Sequence, residues 1–93
     1  MASVFINAPL LEEVTKSNRF FVEGETVCQV LENIEKDFPG FKDMLLTKEK
    51  TFETYLTVFG YYKGEVQSRV VTTPADNCIC LEKLKILTIA CGG

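Results

Sequence analysis

The chain has 93 residues, enough for one domain around one modest core. Hydrophobic residues make up 46% and the net charge is −3, which fits a globular chain rather than a disordered one. The acidic balance argues against nucleic acid as a partner and suits docking against a basic groove on another protein. No apolar run approaches the roughly 18–20 residues that span a bilayer. Met1-Ala2-Ser3-Val4-Phe5 lacks the basic-then-apolar order of a secretory leader. The expectation is a cytoplasmic protein, monomeric alone, without membrane or nucleic-acid partners. There is no histidine, so the commonest general base and metal ligand is missing, and no metal site is expected.

Ser3 to Asn7 predicts a first strand, closed by Ala8-Pro9 because proline cannot donate to a ladder. Leu10 to Ser17 is expected to be a loop. Asn18 to Val22 is a second, aromatic strand, paired antiparallel with the first as a long-looped hairpin. Glu23-Gly24-Glu25 is a turn, and Thr26 is an N-cap. Val27, Val30, Leu31, Ile34 and Phe38 then recur at helical spacing. Gln29, three residues after Thr26, completes a capping box. Pro39-Gly40 ends this helix. Phe41 to Leu46 is a short turn set on the core by Phe41, Met44 and Leu45, and Thr47 to Lys50 is an exposed turn.

Thr51 to Phe59 predicts a third strand, with apolar bulk on both faces, as a central strand requires. Gly60 breaks it, Tyr61 to Lys63 resumes it briefly, and Val66 to Val71 is a further short strand. Thr72 to Asn77 is a turn-rich connector, Cys78 to Leu81 is extended or one helical turn, and Leu84 to Ala90 is the final strand. Cys28 falls in the helix and is expected to be a small buried apolar residue. Cys78 and Cys80 form a C-x-C, and neither metal spacing nor a secretory context recommends zinc or a disulfide for the cysteines.

Two strands, one helix, a third strand, short strands and a last strand fit an α+β fold in which one main helix packs on one face of a mixed sheet. With the first and last strands parallel and adjacent at the centre, this is the β-grasp, ubiquitin-like arrangement. A ferredoxin-like fold needs a second crossover helix for which the chain has no room. Residues 1–93 form one domain, with a flexible tail from about residue 88.

The chain closes on Ile89-Ala90-Cys91-Gly92-Gly93. A terminal carboxylate is ionised near neutrality. Attack on the α-phosphate of ATP turns it into an acyl-adenylate, an electrophile open to a sulfur nucleophile. Gly92, Cys91 and Ala90 are small enough to thread through a narrow channel, glycine most of all. Chain ends often contain glycine in any case.

Taken together, Glu23-Gly24-Glu25-Thr26-Val27, Val30-Leu31-Glu32-Asn33-Ile34 and Phe38-Pro39-Gly40-Phe41 resemble the first helix of the MoaD/ThiS family of sulfur carriers. Leu84-Lys85-Ile86 running on to Gly93 resembles that family's last strand and Gly-Gly tail. The resemblance covers most of the chain in order. It departs at Cys80-Leu81-Glu82, where the family usually has Asp-Gly-Asp, at Thr88, where proline is common, and at Cys91. These departures leave the subfamily open.

The resemblance implies a carrier rather than an enzyme, with no bound cofactor. A ubiquitin-activating-type adenylyltransferase would spend ATP on Gly93. A persulfide donor would then leave a thiocarboxylate there for a sulfur-accepting biosynthetic enzyme, in cysteine, homocysteine-methionine or molybdopterin synthesis. The alternative is a ubiquitin-like modifier or interaction module using the same tail. Leu87 and Ile89 fall on the face of the last strand that carries Lys85, and are nominated for partner contact.

Overall fold

The computed structural model describes residues 1–75 and 79–88. A five-stranded mixed sheet runs in the order β2-β1-β5-β3-β4, from β1 (Ala2–Asn7), β2 (Arg19–Val22), β3 (Leu56–Tyr62), β4 (Arg69–Val70) and β5 (Leu81–Thr88). β1 and β5 are parallel at the centre, with Val4 opposite Leu84 and Ile6 opposite Ile86. β2 lies antiparallel outside β1, and β3 antiparallel outside β5. This is the β-grasp arrangement expected from the order of elements.

Three helices lie against the sheet: α1 (Pro9–Thr15), α2 (Val27–Asp37) and α3 (Phe41–Leu45). Their buried side chains share one core with the inward residues of the strands. Val27, Val30, Leu31 and Ile34 on α2 meet Val4, Ile6, Val58, Leu84 and Ile86 on the sheet. Fully burying an aliphatic side chain of this size stabilises by about 1.5–3 kcal/mol relative to exposure. The helical spacing of α2 is thus the spacing of its sheet contacts.

Capping fixes where α2 begins. Thr26 accepts a hydrogen bond from the Gln29 N–H at 3.1 Å, and Gln29 Oε1 accepts from the Glu25 N–H at 2.8 Å. The reciprocal arm lands one residue earlier than in the usual box. Gly24 just before it has φ +138°, and a Cβ there would lie 3.0 Å from the Val30 nitrogen, so glycine is required.

Several expectations are corrected. The segment expected as a loop forms α1, because Pro9 opens it at a position that needs no N–H and Leu11 and Thr15, one turn apart, are both buried. The Ala8 carbonyl accepts from the Leu11 and Glu12 N–H groups, and Lys16 closes the helix in the left-handed region at φ 60°. The third strand starts at Leu56, not Thr51; Phe52 makes only an isolated bridge with Leu46.

Gly60 does not break that strand. It pairs with Leu84, and a Cβ on it would lie 2.9 Å from the Tyr62 side chain, so glycine makes room for a ring folded back over the backbone. The strand expected at Val66 to Val71 is reduced to Arg69–Val70. The last strand runs Leu81–Thr88 rather than from Leu84, with an irregularity where Tyr61 and Tyr62 face Lys83 and Leu81. Cys80, just before it, is left-handed at φ 62°, neither extended nor part of a right-handed helical turn. Cys28 points to solvent, so its apolar role is withdrawn. Cys78 lies outside the described residues.

Candidate functional site

The residues predicted to do chemistry follow the last strand. Of Leu87, Ile89, Ala90, Cys91, Gly92 and Gly93, only Leu87 falls within the described residues; the other five lie outside them. The site can therefore be built from β5 outward.

β5 is held on both sides to its last residues. Leu87 faces Asn7 on β1 and Thr57 on β3, and Thr88 faces Leu56. Alternation along β5 buries Leu84 and Ile86 against the helices and turns Lys83, Lys85 and Leu87 to the opposite, outer face. Leu87 is half-buried there, on the face of Lys85, as the sequence implied.

Register shows what surrounds it. One row across the outer face reads Arg19, Phe5, Lys85, Phe59 and Val70; the next reads Phe21, Ser3, Lys83 and Tyr61. Phe21 is 74% exposed and Val70 61%. The cations lie on the rings beside them: Arg19 Cζ is 5.2 Å from the centroid of Phe5, and Lys85 Nζ and Lys83 Nζ are 5.4 and 5.7 Å from that of Tyr61. Such contacts hold a long side chain in place while its charge stays available. A hydrogen bond from Lys85 is the main cause that holds the Tyr61 hydroxyl below the usual tyrosine range; a hydrogen bond with Ser68 and the charges of Lys85 and Lys83 act in the same direction.

This face is basic and aromatic on a molecule whose net charge is −3. Sequence reasoning picked Leu87 from it but missed Phe5, Phe59, Tyr61, Lys83 and Lys85. The signal was available: Lys83-x-Lys85-x-Leu87 has the period of one strand face. Among the described residues no three or more cysteine or acidic side chains converge on a metal position, and no helix is long and apolar enough to cross a membrane.

Comparison with solved structures decides the architecture. A chain of the Amycolatopsis orientalis BexX/CysO complex superposes with a TM-score of 0.61 at 20% identity, over 97% of this chain and 99% of that one. SAMP1 from Haloferax volcanii superposes with a TM-score of 0.58 at 19% identity, over 99% and 98%. The chain has the β-grasp fold. At these identities the likeness speaks for the fold. No protein-family model matches the sequence, and no curated protein does. The outer sheet face, with Leu87 and the rows beside it, lies on the side of the sheet away from α2.

Proposed function

We propose that this β-grasp protein is a sulfur carrier acting as a co-substrate. Its Gly93 carboxylate is adenylated by a ubiquitin-activating-type enzyme that consumes ATP and releases pyrophosphate. Sulfide then displaces AMP to give the thiocarboxylate. A persulfide donor reaches the same product through an acyl disulfide that a second thiol reduces. The thiocarboxylate passes its sulfur to a biosynthetic enzyme. Leu87 and Ile89 touch the activating enzyme, and Ala90, Cys91 and Gly92 thread into its nucleotide pocket.

The observation that carries this reading is the anchoring of β5. It is paired on both sides up to Leu87 and with β3 as far as Thr88, and the residues after it in sequence end in Gly-Gly. A rigid base with a small-residue end lets a partner draw in the tail without unfolding the domain. The match to a chain of a two-protein complex, BexX/CysO, supports a life spent docking on a partner.

Incubation of the full chain with ATP, sulfide and an activating enzyme of this type should exchange one carboxylate oxygen for sulfur, read by intact-mass spectrometry. Deleting Gly93 should abolish the exchange while the circular dichroism spectrum is kept. Amide adducts between Gly93 and lysines of other proteins, with no sulfur gain, would replace this reading with that of a ubiquitin-like modifier.

A further inference from the structure

A groove of about 480 Å³ lies between β2 and α2. Phe20, Val22, Ile34 and Phe38 give it an apolar floor, with the Phe20 and Phe38 ring centroids 6.3 Å apart. β2 is an edge strand, and what its open edge offers can be read bond by bond.

The Ile6 N–H donates to the Asn18 carbonyl at 2.9 Å, which sets the parity of the β1–β2 ladder. Phe20 and Val22 therefore bond inward to β1, while Arg19 and Phe21 turn their N–H and C=O outward. The flanking outward groups are capped from within. Ser17 Oγ donates to the Arg19 carbonyl at 2.8 Å and accepts from the Arg19 N–H at 3.3 Å, and Asn33 Nδ2 donates to the Glu23 carbonyl at 2.7 Å. Among the described residues no side chain caps Phe21. A donor and an acceptor on one residue of an open edge are complementary to another extended backbone.

The sequence of the edge indicates whose backbone. Arg19-Phe20-Phe21-Val22-Glu23 is self-complementary when read antiparallel. A two-fold axis at Phe21 lets Phe21 of each copy donate to and accept from the other. It sets Arg19 opposite Glu23 of the second copy, twice, and Phe20 opposite Val22 at the mouth of each groove. Opposite charges directly across antiparallel strands stabilise, and like charges there destabilise. A foreign strand would meet the same free bonds but has no reason to match this charge pattern.

We infer that the protein self-associates through β2, as a two-fold dimer in which the two sheets join into one across Phe21. An isologous contact of this kind closes on itself. β5 lies two strands in from β2, and the two copies run antiparallel, so the ends of both β5 strands stay clear of the seam. The monomer expected from sequence is then the dilute end of a concentration-dependent equilibrium.

Sedimentation equilibrium of the full chain tests this, in reducing buffer because Cys28 and Cys80 are exposed thiols. The wild-type mass should rise from monomer to dimer with concentration. R19E and E23R should each weaken dimerisation about tenfold or more, since each sets like charges opposite one another at both ends of the seam. An equimolar mixture of the two variants should recover the dimer as a heterodimer, because every pairing across the seam is then attractive, and recovery cannot come from a misfolded variant. A wild type that stays monomeric, variants that dimerise as the wild type does, or a mixture that gains nothing would each overturn the proposal. None of these outcomes bears on thiocarboxylate formation at Gly93, which is measured separately.

Discussion

Tyr61 is the clearest case of a side chain whose chemistry its neighbours set. Its phenol is held below the usual tyrosine range chiefly by the hydrogen bond from Lys85, then by Ser68 and the positive charges of Lys85 and Lys83. The shift favours the phenolate in the folded state, so the stability it confers is full above the unfolded value and is lost as pH falls through the lowered folded one. Absorbance titration of the folded protein should show a tyrosine ionising early, and Lys85→Met should move that step back up. A titration unchanged by Lys85→Met would mean that Lys85 does not reach the ring in solution. Leu87 shows the matching economy in apolar groups. It is half-buried by its neighbours on β1 and β3 and still faces outward, so a partner would complete its burial.

Among the elements, α2 was legible because every signal agreed: cap, spacing and a Pro-Gly stop. Thr26→Ala should cost about 1 kcal/mol of folding stability by removing the acceptor for the Gln29 N–H, measured by chemical denaturation. α1 was illegible for a physical reason. Seven residues carry too little periodicity to separate a helix from a loop, and its stability comes from Leu11 and Thr15 reaching a core the sequence does not display. Gly60 misled because glycine has two uses in strands. It can end one, or it can make space for a neighbouring ring, and only the position of Tyr62 tells which. The candidate site divides in the same way. Leu87 followed from alternation along one strand, whereas the rows through Phe5, Lys85 and Phe59 need the register between strands separated by most of the chain.

Charge is divided over the whole molecule by the sheet. Its helices carry Glu12, Glu13, Glu32, Glu35, Asp37 and Asp43 against only Lys36 and Lys42, and its open face carries Arg19, Lys83 and Lys85. A partner with an acidic, apolar surface would be guided to the open face, and added salt would slow their encounter. Reversing both lysines, as Lys83→Glu with Lys85→Glu, should raise the KM for the carrier in the activating reaction at least several-fold. The rate at saturation should change little if, as proposed, the bond-forming atoms belong to Gly93. A KM that stays put would move the docking surface elsewhere.

The parallel seam between β1 and β5 has an outcome for biosynthesis. β5 joins the amino-terminal hairpin to β3 and β4, so a nascent chain that has not yet released residues 81–88 holds two part-sheets and lacks Leu81, Leu84 and Ile86 of the core. Contacts this distant in sequence form late. Completion of the sheet therefore waits for the synthesis of residues 81–88, and a product terminated before them would be left with its two part-sheets unjoined, as a substrate for proteolysis.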